Sequence, residues 1–470
     1  MYEKNDSIIL DIVDMTYDGL GIAKIDQVVF FVKGGVVGDK VEAIVTKNNK
    51  DRLIYAKAIS IIESSPYRVE PVCKDASRCG GCMLMSLSYE KQIELKVHNV
   101  KNCLKRIGKI DEKVVDDVFL GIESFDMSPA RYRNKIQVPF SIKDGKVIYG
   151  FYAFNTHYIV ENDKCIVGFD GADKILKDIR DFLQDNNISI YDEKTYDGYF
   201  REAILRCGDN SGEISVTLVV GKTKNKNDKH SMDRLSEVLS KKYSDIKTIT
   251  LNVNTKNNNV ILGDKNFLLY GKGYIEDELL GVKYHISPES FYQVNNKMTE
   301  KLYDTVIGFG DFDKEEKVLD MYCGIGTISL IVANNVKKVL GIEVVDRAVQ
   351  NAKENASIND IKNAEFMTLD ASKLKKSKDS DDYIDILDDI YDTIIVDPPR
   401  KGLDNATVEY IKKVAPKKVV YVSCDPSTLS RDLDILTHDG DIRYTIKKIK
   451  CVDMFPYTMH VETVVLLNII

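Results

Sequence analysis

The sequence predicts a three-domain protein: a small closed β-barrel over residues 1–62, a mostly-β central domain over 63–285, and a doubly wound α/β domain over 286–470. Three observations carry that prediction. Residues 1–62 alternate apolar and polar in short runs ("VVFFVKGG", "DKVEAIV", "YAKAISIIE") separated by Gly19, Gly21, Gly34, Gly35 and Gly38, the pattern of short strands joined by glycine turns. Strand-like segments such as "RYRNKIQVPF" and "GEISVTLVVG" dominate from there to about residue 285. From 317 onward strands alternate with helices, the signature of a parallel sheet covered on both faces. One helix stands apart, "SYEKQIELKVHNVKNCLKRI" at 88–107 with Ser88 as its cap, and it is expected to cross over and brace the last domain.

Composition narrows the class. The 470 residues are 30% charged and contain no run of about eighteen apolar residues. The start "MYEKNDSIIL" lacks the basic-then-apolar layout of a signal peptide, so a soluble, cytoplasmic protein is expected. Nine cysteines, an odd number, argue against a secreted disulfide framework and for metal or catalytic use. The net charge is −7, and the whole acidic surplus lies after residue 285. Part of it falls in "SKLKKSKDSDDYIDILDD" at 372–389, a lysine cluster followed by an aspartate cluster, read as a solvated insertion. Global acidity therefore neither establishes nor excludes an RNA partner.

The last domain carries the cofactor signal. "KVLDMYCGIGTISLIVA" is an apolar strand that ends in a glycine turn and opens a helix, with Gly324 and Gly326 letting the backbone approach a ligand. A second strand, "KKVLGIEVVD", ends in Glu343, 19 residues after Gly324, where a carboxylate would hold a ribose diol. The turn lacks the three-glycine pyrophosphate fingerprint, so S-adenosylmethionine fits better than NAD. A third strand, "YDTIIVDPPRKGL", ends in Asp397 before two prolines that stiffen the loop. Asp-Pro-Pro at this place is common in methyltransferases acting on planar nitrogen heterocycles.

A fourth strand, "VVYVS", ends in Cys424, at the edge where open α/β sheets hold ligands. A thiol there is a candidate nucleophile. A uracil ring would use one: C5 is too weakly nucleophilic to take a methyl group unaided, and thiolate addition at C6 makes it enolate-like. A base must then remove the C5 proton, and "CVDMFPYTMHVETVVLLNII" supplies Glu462, with His460 as its rival.

These motifs resemble, in order and over nearly the whole chain, the RNA uracil-5-methyltransferases, in particular the bacterial 23S ribosomal RNA branch with an N-terminal TRAM domain (a small OB-like barrel) and an iron-sulfur cluster. The resemblance implies a class I (Rossmann-like) methyltransferase domain. "SPESFYQVN" implies Gln293 at the cofactor and Phe291 close to the target base. "DMYCGIGT" implies Tyr322 against the cofactor, with Glu343 and Asp397 completing that site beside the Gly324 turn. "SCDP" implies Cys424 as nucleophile and "DMFPYTMHVET" implies Glu462 as the base. The family pattern often has Phe where Tyr292 stands and Gly where Met459 stands, and neither departure removes a reacting group.

A second cysteine group, Cys73, Cys79 and Cys82 in C-x5-C-x2-C spacing with a distant Cys165, suits either zinc or an iron-sulfur cluster. The resemblance implies [4Fe-4S]. Radical S-adenosylmethionine enzymes use C-x3-C-x2-C and leave one iron unligated, so a structural or RNA-positioning cluster is expected here. In "RYRNKIQV" a strand would put Arg131, Arg133 and Lys135 on one face as a phosphate-tracking ladder, with a splayed base stacking on Phe291. The implied function is S-adenosylmethionine-dependent methylation of uridine C5 in a structured single-stranded loop of 23S ribosomal RNA. The enzyme would act as a monomer, with neither DNA nor membrane as partner. The alternatives are a tRNA uridine or RNA cytosine-5 methyltransferase, or a non-catalytic RNA-binding iron-sulfur protein.

Overall fold

In the computed structural model, which describes residues 2–49, 52–223, 225–371 and 390–470, the chain forms three main sheets and a separate hairpin. The acidic segment 372–389 lies outside the described residues. The N-terminal sheet runs Ser7–Asp11, Lys40–Asn49, Leu53–Glu63, Val28–Lys33, Gly21–Ile25 and Asp14–Met15. Its two edge strands are successive parts of one extended run, and the Val13 N–H donates to the Ile22 carbonyl at 2.8 Å, so the sheet closes on itself. Closure removes the free edges and encloses Leu10, Phe30, Val32, Val41, Ala43 and Ile54.

The central sheet has seven strands in the order Ile159–Glu161, Lys146–Tyr152, Lys135–Lys143, Phe200–Cys207, Ile214–Val220, Ile246–Val253 and Lys265–Gly271. Only Ile214–Val220 and Ile246–Val253 pair parallel, and helix Lys226–Lys242 makes the crossover that such a pair requires. Ile175, Ile179 and Leu183 of helix Ala172–Asp185 pack into the same core as Met232, Leu235 and Leu239.

The largest sheet has eight strands. Ala364–Thr368, Lys338–Glu343, Lys317–Met321, Thr393–Val396 and Lys418–Ser423 are parallel; Glu462–Ile469 joins them antiparallel, followed by Tyr444–Val452 and Phe119–Glu123. Strand order reverses between Lys317–Met321 and Thr393–Val396, the switch point at which such sheets hold ligands. One core contains Leu302, Leu330 and Ala352 of helices Asn296–Gly310, Thr327–Ala333 and Asp346–Ile358. The other contains Ile411 and Leu433 of helices Asn405–Val414 and Pro426–His438. Helix Tyr89–Arg106, capped by Ser88, inserts Val100 and Leu104 into that second core. This helix and strand Phe119–Glu123 thus pack with the last sheet although they precede the central one in sequence. No helix among the described residues is long and apolar enough to cross a membrane.

Candidate active site

Register brings the candidate residues to one edge. Met321 lies beside Ile342 and Val396, and Val396 beside Tyr421, so Tyr322, Glu343, Asp397 and Cys424 all emerge at the carboxyl ends of the parallel strands. The last strand runs the other way. Ser423 pairs with Thr463, so Glu462 begins its strand at the edge where Cys424 leaves its own. Asp425 then caps helix Pro426–His438, accepting from the Ser427 and Thr428 amides at 2.8 and 3.2 Å.

The glycine turn is shaped for a ligand with donors and positive charge. Gly324 and Gly326 have φ of +55° and +82°, and a Cβ at Gly326 would stand 3.0 Å from the Phe366 ring. Glu343 accepts from the amides of Gly324 (3.2 Å) and Val345 (2.9 Å), which locks the turn to the second strand. Tyr322 also takes a left-handed φ of +72°, held by its amide on the Ile342 carbonyl and its hydroxyl against Thr407. Asp320 was not singled out from sequence, although an Asp inside the apolar strand "KVLDM" was the available signal. It is buried; the Ser329 hydroxyl donates to one of its oxygens, and Oδ1 has no partner among the described residues. Burial, with the neighbouring Asp397 and Glu343 charges, pushes its carboxyl up to about 7, and burial does the same to Asp397. An orphaned acceptor among three carboxyls fits S-adenosylmethionine, a sulfonium with an ammonium group and no phosphate.

Beside that turn a thiol meets a buried carboxyl. Burial, then the charges of Glu462 and Asp397, push the Cys424 thiol up to about 12, against the Arg400 guanidinium, which lowers it. Glu462 is 3% exposed; burial, then Asp397, raise its carboxyl to about 8, again opposed by Arg400. A cation entering this edge would favour both ionised forms. His460 is held down to about 4 by burial, then Arg400 and Lys96.

The segment that carries Glu462 is pinned from several sides. Lys96 and Asp453 form a fully buried ion pair; Tyr89 donates to the same carboxylate at 2.6 Å, and Lys96 also donates to the Phe455 carbonyl at 3.0 Å. Tyr457, at φ +65°, donates its amide to Gln92 and accepts on its carbonyl from Leu84, each at 2.9 Å. The opposite wall, "SPESFYQVN", is held by Arg206 on the Ser290 carbonyl (3.0 Å), Asn134 on the Gln293 carbonyl (3.1 Å) and Asn351 on Ser290 Oγ (2.9 Å). That clamping buries Tyr292 and Gln293 while Phe291 stands 72% exposed.

Cys73, Cys82 and Cys165 pack against one small cluster, Met85, Tyr132, Val167 and Tyr457. Cys79 joins them electrostatically, since burial and then its neighbours' charges, Cys165 and Cys73 among them, raise its thiol. Cys82 and Cys165 are raised by burial in the same way. No three His, Cys, Asp or Glu among the described residues are spaced to hold a single metal ion.

The basic ladder is corrected. The strand starts only at Lys135, because Arg131 adopts φ +54° and turns the chain. Its guanidinium binds the Cys165 and Gly168 carbonyls and pairs with Asp170 and Asp173. Arg133 lies near Cys82, and Lys135 is lowered to about 8 by burial and then by Arg206 and Arg133. Arg131 thus leaves the strand, and the three cations do not form one ladder.

Known proteins resemble this chain over most or all of its length. The family model described as tRNA (uracil-5-)-methyltransferase matches residues 88–470. A protein of Listeria monocytogenes named an uncharacterized RNA methyltransferase is 40% identical over 469 residues, covering 100% of this chain and 99% of its own. One of the same name from Clostridium acetobutylicum is 41% identical over 467 residues, covering 99% and 98%. The crystal structure of Pyrococcus abyssi tRNA (uracil-54, C5)-methyltransferase in complex with S-adenosyl-L-homocysteine superposes with a TM-score of 0.73 at 27% identity, covering 98% of this chain and all of that one. With the glycine turn, the thiol and the buried carboxyl at one sheet edge, the chain belongs to the tRNA (uracil-5-)-methyltransferase family and is an S-adenosylmethionine-dependent RNA (uracil-5-)-methyltransferase.

Proposed function

We propose that this enzyme methylates C5 of a uridine in a structured single-stranded loop of 23S ribosomal RNA, with Cys424 as nucleophile and Glu462 as the proton acceptor. The observation that carries the chemistry is the pairing of Ser423 with Thr463, which sets thiol and carboxyl side by side at the ligand edge. S-adenosylmethionine supplies the electrophilic methyl group, and Asp320, Tyr322, Gly324, Glu343, Asp397 and Gln293 are the residues to hold it. The Cys424 thiolate adds to C6, which moves the C5–C6 electron pair into the ring carbonyl and makes C5 nucleophilic. Once C5 carries the methyl group, Glu462 takes the C5 proton; the double bond re-forms and expels the thiolate. Exposed Phe291 offers its face to the target base.

The same reading divides the chain into a TRAM-like barrel (1–62), a central unit (63–285) and the methyltransferase unit (286–470), the last braced by residues 89–123. Cys73, Cys79, Cys82 and Cys165 hold a [4Fe-4S] cluster. What supports this reading is that Cys73, Cys82 and Cys165 pack against one small cluster and that Cys165 and Cys73 act electrostatically on Cys79. Of the former ladder, Arg133 and Lys135 lie on the RNA path, and Arg131 holds the Cys165 segment. The enzyme works as a cytoplasmic monomer. A transfer-RNA uridine is the second reading, favoured by the Pyrococcus abyssi structure. Mapping of 5-methyluridine by mass spectrometry in ribosomal and transfer RNA from cells lacking the protein separates the two, and loss at a transfer-RNA site alone overturns the ribosomal assignment. A uridine-versus-cytidine RNA assay excludes or establishes a cytosine-5 enzyme.

A further inference from the structure

The N-terminal barrel reaches the reaction edge through its turn 16–20, which carries Tyr17 onto His460. Its turn 16–20 is tied by the Thr16 amide on the Leu20 carbonyl (2.7 Å), the Gly19 amide on the Thr16 carbonyl (2.9 Å) and the Leu20 amide on Thr16 Oγ1 (2.9 Å). Gly19, at φ +75°, lets this turn press on the segment after the clustered cysteines; a Cβ there would stand 2.6 Å from Met83 Cβ. Met15, Leu84, Leu87, Leu95 and Met459 pack together around the contact, with half-buried Tyr17 against them. Tyr17 is thereby fixed with its hydroxyl 2.5 Å from His460 Nδ1 and its ring edge-on to the imidazole at 4.8 Å between centroids. Cys424, Glu462, Arg400 and Asp425 are near enough to act on the phenol electrostatically, so the pair borders the thiol and carboxyl.

The direction of that hydrogen bond follows from acidity. Burial raises the phenol, which stays protonated, and His460 is neutral. Asp18 and Asp425 favour its cation, but burial and the charges of Arg400 and Lys96 outweigh them. Between a neutral phenol and a neutral imidazole, O–H donates and the ring nitrogen accepts. The ring proton then sits on Nε2, which makes no hydrogen bond among the described residues.

We propose that Tyr17 is a positioning residue contributed by the barrel: it holds His460 as the Nε2–H tautomer, so that His460 donates a hydrogen bond to an oxygen of the target nucleotide instead of serving as the base. This rests on the site reading above, and it gives the barrel a part in the reaction beyond any general affinity for RNA.

The test is a set of variants of the full-length holoenzyme assayed on unmethylated substrate RNA. Tyr17→Phe keeps the ring packing and removes the hydroxyl; kcat/KM should fall about tenfold with S-adenosylhomocysteine affinity unchanged. His460→Gln keeps a donor N–H at the position of Nε2 without needing Tyr17. It should retain measurable turnover, and adding Tyr17→Phe to it should cost less than twofold. An equal loss from Tyr17→Phe in both backgrounds overturns the proposal, because the hydroxyl then does not act through His460. Wild-type activity of Tyr17→Phe or an inactive His460→Gln also overturns it. So does accumulation of a covalent protein–RNA adduct by His460→Gln, which would make His460 the base. Cys424→Ala is the control: if it still turns over, the site reading itself has failed, and if it is inactive while Tyr17→Phe is unaffected, only the Tyr17 inference has failed.

Discussion

Glu462→Gln tests the site through two independent consequences. The carboxyl is held at about 8 in the folded protein, against 4.5 when free, chiefly by burial. A folded state that binds this proton more tightly than the unfolded chain loses stability as pH rises from 4.5 to 8, and the loss is complete above 8. At about 1.36 kcal/mol per pH unit, the buried charge costs about 3 kcal/mol at pH 7 and about 5 kcal/mol at pH 9. Gln fills the same space without titrating. The variant should therefore match wild type near pH 4 and exceed it by those amounts at pH 7 and 9, measured by chemical denaturation. The second consequence is kinetic. Addition of Cys424 to C6 and methyl transfer stay possible, but release is blocked, so a methylated protein–RNA adduct accumulates as a shifted band on a denaturing gel. Adding Cys424→Ala should abolish the band. Parallel pH profiles for variant and wild type would refute the buried-charge argument, and normal turnover would refute the base assignment. An inactive variant that binds RNA and cofactor yet forms no adduct would move the carboxylate to the addition step.

Cys424→Ala should bind S-adenosylhomocysteine as wild type does and lose turnover, because the thiol bonds to the base and does not hold the methyl donor; residual activity above about a hundredth refutes the nucleophile. Anaerobically purified protein should be brown and contain iron, and Cys79→Ser should bleach it, whereas stoichiometric zinc would show the wrong metal was assigned. Lys96→Met leaves the Asp453 carboxylate buried with only the Tyr89 hydroxyl, and denaturation should show a loss of about 3–5 kcal/mol. Most of that loss should return in Lys96→Met combined with Asp453→Leu, and failure to recover would mean packing dominates. The steady-state rate of turnover should rise with pH toward about 8 as Glu462 ionises, and product release in Glu462→Gln should stay blocked at every pH.

Local pattern carried much of this protein. Short-range hydrophobic periodicity is enough to announce helix Tyr89–Arg106 with its Ser88 cap, the strand–turn–helix at 317–333 and a strand ending at Ser423, because each depends on neighbours within a few residues. The same reasoning failed at "RYRNKIQV", where the left-handed Arg131 and its pairing with Asp170 and Asp173 come from packing against a segment more than thirty residues later. Asp320 looked like one polar residue in an apolar strand until the fold buried it beside Asp397 and Glu343. The sequence by itself determined which residue types stand at strand ends. Only the tertiary structure decided that the last strand runs antiparallel and presents Glu462 beside Cys424, and that Tyr17 lies on His460, 443 residues away. Periodicity reports which face of an element is buried, but not what it is buried against. That is settled by the closure of long loops around shared cores, to which every element contributes at once.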